Sequence, residues 1–295
     1  MYHIGFRLTE NDDPEERLEE AALWKAMKDH YGDRISPVTA RRPAEDDWIM
    51  FGRSERFETG QEPVSSLLEY WRDPAFLKHC GRDFGLVSIE GLRDAVSALH
   101  AQGVGAFVKS TRSKHFICRV PTGADVDDEM GAMAYSFIDG PKLMVQALAD
   151  VRDEYRFFVI DRRIVTFSPV MVSLTPLDWR ENINAVYETP TNSRKRSDVD
   201  QVARYYELVE EVAAEMVPDH AVVDVALFDG SPAVVEMNPM RLGQIGLYAC
   251  DVKALAVASE KLFDGFIPQR RPPFVADEDE EEFEDGFDPP SSNGL

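Results

Sequence analysis

Three oxygen-bearing side chains interrupt the most apolar part of the sequence, between residues 222 and 240. Asp224 lies within one run of valine, alanine and leucine, Glu236 lies within a second run, and Asn238 follows two residues later. Two carboxylates that meet in apolar surroundings repel each other and lose hydration, so burying them unpaired is costly. A divalent cation removes that cost, and Mg²⁺ prefers oxygen ligands. These residues predict a magnesium site; the alternative is a surface hairpin with its polar face in water.

The turn between the two runs decides whether the carboxylates meet. Residues that face each other across a hairpin lie on the same side of the sheet. We predict a three-residue loop, 229–231, because this length places Asp224 opposite Glu236. That register also puts Ala226 and Val234 on the same face. A loop with an even number of residues would send the two carboxylates to opposite faces.

A metal that holds phosphate groups also requires nearby cations. Lys109 ends an apolar strand, and Lys114 lies in the polar loop that follows. Glu154 and Arg156 are two residues apart in another predicted strand, so their side chains share a face. The lysines have an ordinary alternative explanation as solvated side chains. The alternative for Glu154 and Arg156 is an exposed ion pair worth less than about 1 kcal/mol. The sequence contains no GxxxxGK[ST] motif, which excludes a P-loop.

Hydrophobic periodicity indicates the elements that must position these residues. The main helices are predicted at 13–30, 88–103, 198–217 and 251–263, with shorter ones on either side of Pro74 and within 125–138. Besides the hairpin, strands are predicted within 35–42, 46–53, 105–120 and 142–174, and two strands of the last region flank a turn at Asp161–Arg162. The polar segment 175–197 is long for a loop, which favours a lid or a binding loop. Its basic residues 194–196 fit a substrate contact or a solvated loop equally well.

Composition excludes several classes of protein. The 295-residue chain carries a net charge of -22, and nine of its acids lie in the tail segment 277–288. Nucleic acid is therefore a poor partner, because phosphate backbones require clustered lysine and arginine. No apolar run approaches the ~18 residues of a membrane span. Three cysteines without finger-like spacing indicate a reducing, cytoplasmic setting and no disulfide framework.

Taken in order along the chain, these motifs resemble the ATP-grasp superfamily. Lys109 ends a strand, a Val-Gln strand leads to a hinge, an acid-x-Arg strand follows, and Asp224 is followed twelve residues later by Glu-x-Asn. Each motif alone is common, but the ordered set is specific and spans roughly residues 86–265. The more particular likeness is to the bacterial and phage clade named for two arginines and a lysine.

The resemblance implies a role for each matching residue. Lys109 would contact the nucleotide phosphates, Glu154 would hold the ribose hydroxyls, and Arg156 would lie near the transferred phosphate. The backbone of a hinge would bind adenine, and the magnesium ligands would be the three oxygen-bearing residues of the hairpin. The hinge residues are Gln146, Ala147 and Leu148, and the magnesium ligands are Asp224, Glu236 and Asn238. Lys114 adds a second cation beside the phosphates, and Arg241 suits a substrate carboxylate through two parallel hydrogen bonds.

The implied fold is α/β (α+β), an ATP-grasp fold in which two lobes clasp ATP between antiparallel sheets. We expect a small α/β lobe at 1–85, the ATP-grasp domain at 86–270 and a disordered acidic tail at 271–295. The implied activity is an ADP-forming carboxylate–amine ligase that uses ATP and one or two Mg²⁺ ions. Its substrates would be small-molecule or peptide carboxylates and amines, including a protein terminus. The alternatives are a catalytically silent nucleotide-binding module and a kinase-like phosphotransferase.

Overall fold

The structure, a computed structural model, describes most of the chain between its ends. The described residues are 2–7, 14–38, 48–52, 67–111, 117–131, 142–170, 175–178, 199–240 and 246–264. Lys114, Arg241, most of the polar loop and the acidic tail lie outside them. Within these residues, no helix combines the length and the apolar character that crossing a membrane requires.

The N-terminal part forms a small parallel sheet. Its strands are β1 (His3–Arg7), β2 (Ile35–Val38) and β3 (Trp48–Gly52), in the order β2-β1-β3. Helix α1 (Pro14–Tyr31) and a 3₁₀ helix (Gly32–Arg34) connect β1 to β2, since a parallel neighbour requires a crossover. The core beneath α1 contains Ile4 and Phe6 together with Val222 and Leu255 from the far end of the chain. This unit therefore packs directly against the part of the chain that carries the predicted hairpin.

A first antiparallel sheet occupies the middle of the chain. Its elements in sequence order are a 3₁₀ helix (Leu67–Arg72), α2 (Pro74–His79), β4 (Phe84–Val87), α3 (Ile89–Ala101), β5 (Ala106–Ser110), β6 (Ile117–Val120), α4 (Val126–Met130) and β7 (Leu143–Ala147). The strands lie in the order β4-β7-β5-β6. Leu92 and Val96 of α3 pack on the sheet. Strand β4 runs across the domain boundary expected at residue 85.

A second antiparallel sheet carries the hairpin. Its elements are β8 (Val151–Ile160), β9 (Arg163–Pro169), a 3₁₀ helix (Pro176–Asp178), α5 (Val199–Glu215), β10 (Ala221–Phe228), β11 (Ser231–Asn238), α6 (Val252–Ala258) and α7 (Glu260–Asp264). The strands lie in the order β11-β10-β8-β9. Tyr205 and Val209 of α5 pack on one face, and the N-terminal core covers part of the other. Burial on both faces explains why β10 is apolar on both faces.

The hairpin turn differs from the prediction. Phe228 pairs with Ser231, so the loop contains two residues, Asp229 and Gly230, with φ of 50° and 86°. Positive φ at both positions is the geometry of a type I′ turn, which an Asp-Gly pair favours. The prediction of a three-residue loop was therefore wrong.

Asp224 nevertheless lies opposite Glu236, as predicted, because the hairpin contains a β-bulge. Val225 pairs with Val234 and Asp224 pairs with Glu236, so Val235 is an extra residue on β11. A bulge adds one residue to one strand and restores the register that the shorter loop would have lost. Val234 does not share the carboxylate face, because it packs in the core on the α5 side of the sheet.

Candidate active site

The centre of the site is a buried ion pair on the second sheet. Asp224 on β10 is fully buried, and its paired neighbour on β8 is Arg156. Arg156 donates from Nε to Asp224 Oδ1 at 2.8 Å and from Nη2 to Oδ2 at 2.7 Å. Burial alone would lower the pKa of Arg156, but the Asp224 carboxylate raises it above its ordinary value. Arg156 therefore keeps its charge and holds both oxygens of the carboxylate in one orientation.

Glu236 lies beside this pair and has two partners of its own. Lys109 Nζ donates to Glu236 Oε2 at 3.2 Å, and Asn238 Nδ2 donates to Oε1 at 2.8 Å. Burial acts to raise the pKa of Glu236, but Lys109, Asn238 and Arg156 together lower it to about 2. The bulge thus brings the three predicted metal ligands together: Glu236 and Asn238 are two residues apart on β11, and Asp224 lies across from Glu236 on β10.

Lys109 joins the two antiparallel sheets. It lies on β5 of the first sheet with 7% of its surface exposed, and Glu236 belongs to the second. Its ammonium group also lies 5.0 Å from the centre of the Tyr70 ring. Burial lowers the pKa of Lys109, but Glu236 and Tyr70 outweigh that effect and raise it. A charged lysine is therefore held at the point where the two sheets meet.

Glu154 adds a further carboxylate to the cluster. It precedes Arg156 by two residues on β8, on the same face as predicted. Its pKa is raised to about 7 by burial, by Asp224 and by Glu236, against smaller opposite effects of Arg156 and Lys109. Three carboxylates therefore face two cations here. The raised pKa of Glu154 therefore reflects its burial first and the two neighbouring carboxylates second.

This donor set fits a magnesium ion. It contains only oxygen ligands on adjacent strands, which is the ligand type that Mg²⁺ prefers. Among the described residues, no three His, Cys, Asp or Glu side chains lie together in a way that could hold a metal. The third ligand of the predicted set is instead the amide of Asn238, beside Glu236.

The predicted hinge residues lie together at the end of β7. Gln146 is in the interior of the first sheet, paired with Phe84 on one side and Phe107 on the other. The N–H of Leu148 donates to the Gly105 carbonyl at 2.8 Å, and the Ala147 carbonyl accepts from Arg82 Nη1 at 3.0 Å. Part of this hinge backbone is therefore already hydrogen-bonded within the protein. Adenine recognition by these residues stays a prediction.

Arg82 is a residue of this region that the sequence did not reveal. Its guanidinium group lies 4.6 Å from the centre of the Phe107 ring and 5.5 Å from that of Phe228. No Asp or Glu side chain among the described residues forms an ion pair with it, and burial lowers its pKa to about 10. A cation confined beside the hinge without a carboxylate partner suits an anionic ligand. A single arginine in a short connection carries no motif that would have identified it.

Gly81, the residue before Arg82, lies where the chain passes close to the hairpin. A Cβ at Gly81 would lie 2.5 Å from the ring of Phe228 and 2.9 Å from Ala233. Glycine therefore permits the chain to pass closely over the hairpin before it reaches Arg82.

Arg162, at the turn between β8 and β9, does not join the site. Its side chain donates to Asp219 and to carbonyl groups at and beyond the end of α5, including those of Ala213 and Val217. It therefore caps that helix.

The family of the chain follows from its similarity to known sequences. A model of the ATP-grasp domain, family 2 of the clade named for two arginines and a lysine, matches residues 87–258, which is more than half of the chain. The chain belongs to this ATP-grasp family. The family prediction and the ATP-grasp fold are thus confirmed. No curated protein matches the sequence significantly.

Solved structures of ATP-grasp ligases resemble the fold of this ATP-grasp protein. D-cycloserine synthetase DcsG matches with a TM-score of 0.55 and 15% identity, over 88% of this chain and 99% of that one. The ATP-grasp ligase PsnB, in complex with a minimal precursor, matches with a TM-score of 0.51 and 12% identity, over 89% of this chain and 99% of that one. D-alanine–D-alanine ligase from Bacillus anthracis matches with a TM-score of 0.50 and 13% identity, over 90% of this chain and 98% of that one. At these identities the likeness concerns the fold alone.

Proposed function

We propose that this ATP-grasp protein is an ATP- and Mg²⁺-dependent ligase that joins a carboxylate to an amine and forms ADP. The observation that carries the proposal is the meeting of two sheets at one ion-pair cluster. Lys109 of the first sheet reaches Glu236 of the second, beside Asp224 and Asn238. A phosphate-binding cation and a set of magnesium ligands would therefore share one location.

The nucleotide would bind between the two sheets. The buried Lys109 and the partly buried Arg82 would be cations on its path, and the triphosphate would take the place that Glu236 now has beside Lys109. Glu236 would then be available, with Asp224 and Asn238, to hold one or two Mg²⁺ ions. When bound, such an ion neutralises phosphate charge and aligns the phosphate oxygens. Glu154 would accept from ribose hydroxyls, as the family resemblance implies.

The reaction would proceed in two steps. A carboxylate oxygen of the first substrate forms a bond to the γ-phosphorus while the bond to the β-phosphate oxygen breaks, which releases ADP and gives an acylphosphate. The amine of the second substrate then attacks the acyl carbon and loses a proton, and inorganic phosphate leaves. The chain contributes position and charge, because phosphoryl transfer depends mainly on these. In this arrangement Arg156 orients Asp224, and its contact with phosphate stays a prediction.

Structures of similar fold support a proposal for the substrate class. Structures of similar fold include a D-alanine–D-alanine ligase and a ligase in complex with a minimal precursor. We propose an amino acid, a peptide or a protein terminus as the substrate. Arg241, which lies outside the described residues, is the proposed contact for its carboxylate.

The first experiment measures thermal stabilisation by ATP with magnesium. The wild type should be stabilised, because a ligand that binds only the folded state raises its stability. The doubly substituted Asp224→Asn/Glu236→Gln variant should lose the stabilisation, whereas an Arg93→Gln variant on the surface of α3 should keep it. A wild type that is not stabilised would overturn the nucleotide site.

The second experiment identifies the chemistry. Mixtures of amino acids and peptides are screened for release of ADP and phosphate together with an amide product. AMP and pyrophosphate as products would contradict the acylphosphate route. ADP formation with a stable phosphorylated product would indicate a kinase instead.

A further inference from the structure

Residues 246–251, called here the support segment, follow the hairpin and have an unusual conformation. Tyr248 has a φ of +47°, a region that residues other than glycine occupy rarely and at some cost. Its ring folds back over Gly246, where a Cβ would lie 2.9 Å from the ring carbon Cζ. Such strain persists only where the surroundings fix it, and it is concentrated at functional sites.

Three hydrogen bonds fix the support segment to two different parts of the fold. The N–H of Ala249 donates to Ser168 Oγ at 3.0 Å, and the N–H of Asp251 donates to Thr166 Oγ1 at 2.9 Å. Both hydroxyl groups belong to β9 and are buried. The third bond comes from α1 and holds the strained residue itself.

This third bond joins Glu19 to Tyr248. The N–H of Tyr248 donates to Glu19 Oε1 at 2.7 Å, in a partly buried position. A hydrogen bond to an ionised carboxylate is about twice as strong as one between neutral groups. Glu19 is therefore well suited to hold Tyr248 in its strained conformation.

The support segment presents two groups to Arg156. The Gly246 carbonyl accepts from Arg156 Nη1 at 3.1 Å, and the Tyr248 ring centre lies 5.4 Å from the guanidinium carbon. The other edge of the guanidinium group binds Asp224. Arg156 is thus held between a predicted magnesium ligand and a segment that α1 keeps in place.

We propose that Glu19 is a positioning residue for the active site, acting through Tyr248 on Arg156 and hence on Asp224. Glu19 lies in α1, outside the matched family domain at 87–258, so the N-terminal unit takes part in building the catalytic centre. The consequence of Glu19 for catalysis rests on the proposed ligase function, whereas its effect on the position of Arg156 is independent of that function.

The experiment measures hydrogen exchange at Nε–H of Arg156 by NMR in the protein without nucleotide. Glu19→Asp keeps the charge but shortens the side chain by one methylene group, and Glu19→Gln keeps an acceptor at the same distance. Glu210→Ala, on the exposed face of α5, is the control. Each rate is divided by that of the Val223 amide, which reports global opening from the core of β10.

Glu19→Asp should raise this ratio at least about tenfold, because it breaks a hydrogen bond to a charged group that holds the support segment against Arg156. Glu19→Gln should stay nearer to wild type, and the control should not change. Equal acceleration of Arg156 and Val223 in Glu19→Asp would show a merely structural role and overturn the proposal. No acceleration of either exchange rate would overturn it as well. If ATP does not bind at all, the ligase proposal fails while these exchange results still decide the role of Glu19.

Discussion

Removing one member of the Arg156–Asp224 pair should cost far more than removing both. Asp224 is fully buried and Arg156 is 6% exposed. Arg156→Met leaves a buried carboxylate without its counter-charge, and Asp224→Leu leaves a buried guanidinium group without its own. A broken buried ion pair typically costs about 3–5 kcal/mol, whereas replacing both partners by apolar residues is often close to neutral. The double variant should therefore be more stable than either single variant.

The single variant Arg156→Met should also respond to pH in a characteristic way. Burial raises the pKa of Asp224 and Arg156 counteracts this, so the pKa rises further once the arginine is gone. A group with a raised folded-state pKa contributes its full stability below the unfolded-state pKa and loses it as the pH rises. Arg156→Met should therefore regain stability, relative to wild type, as the pH is lowered.

Urea unfolding of the four proteins in this double-mutant cycle provides the test. We expect a coupling energy of at least about 2 kcal/mol between the two positions. Two single effects that add up to the double effect within about 0.5 kcal/mol would show that the residues do not interact as the structure indicates. The reasoning would also fail if Arg156→Met became less stable than wild type by a growing margin at low pH.

Three further predictions concern the site and the turn. Lys109→Met should abolish stabilisation by ATP with magnesium while Lys109→Arg keeps part of it; a full thermal shift in the methionine variant would contradict a phosphate contact. Because the pKa of Glu154 is raised to about 7, its stabilising protonated form is lost as the pH rises through that value. Glu154→Gln should therefore flatten the decline of the melting temperature between about pH 5 and pH 8, and parallel curves for the two proteins would be evidence against this. Gly230→Ala, at a φ of 86°, should lower the free energy of unfolding by about 1 kcal/mol, whereas Gly91→Ala in α3 should be neutral or stabilising. Equal stability of the two alanine variants in urea would argue against the type I′ turn.

The hairpin shows how a correct pairing can rest on a wrong local argument. The prediction needed an odd loop to place Asp224 opposite Glu236, and the loop has two residues. A bulge at Val235 supplies the extra residue. Alternation along the two strands cannot reveal a bulge, because both strands are apolar on both faces and a shift of one residue leaves the pattern unchanged.

The residues missed by sequence reasoning share one property. Arg82 and Tyr248 contribute side chains from connecting segments, and Tyr70 contributes one from a short 3₁₀ helix, so hydrophobic periodicity does not identify them. Each becomes part of the site only because its segment crosses a sheet that lies elsewhere in the chain. A sequence motif records spacing along the chain, and these contacts depend on distances in space.

Sequence reasoning established the features of this protein that are local and chemical. The period of the apolar residues specified α1 and α5, the alternation around Arg156 placed Glu154 on its face, and the ordered set of motifs indicated the family. These features follow from neighbours within a few residues, whose geometry is set by the backbone.

Only the tertiary structure decided which opposite charges meet. Asp224 lies beside Arg156 because β10 pairs with β8, and Glu236 lies beside Lys109 because two separate sheets come together. The same packing places Glu19 of α1 within hydrogen-bonding distance of Tyr248. In a poorly solvated interior the partner of each charge is set by strand order and by packing between distant segments, and neither is encoded in the spacing of residues along the chain.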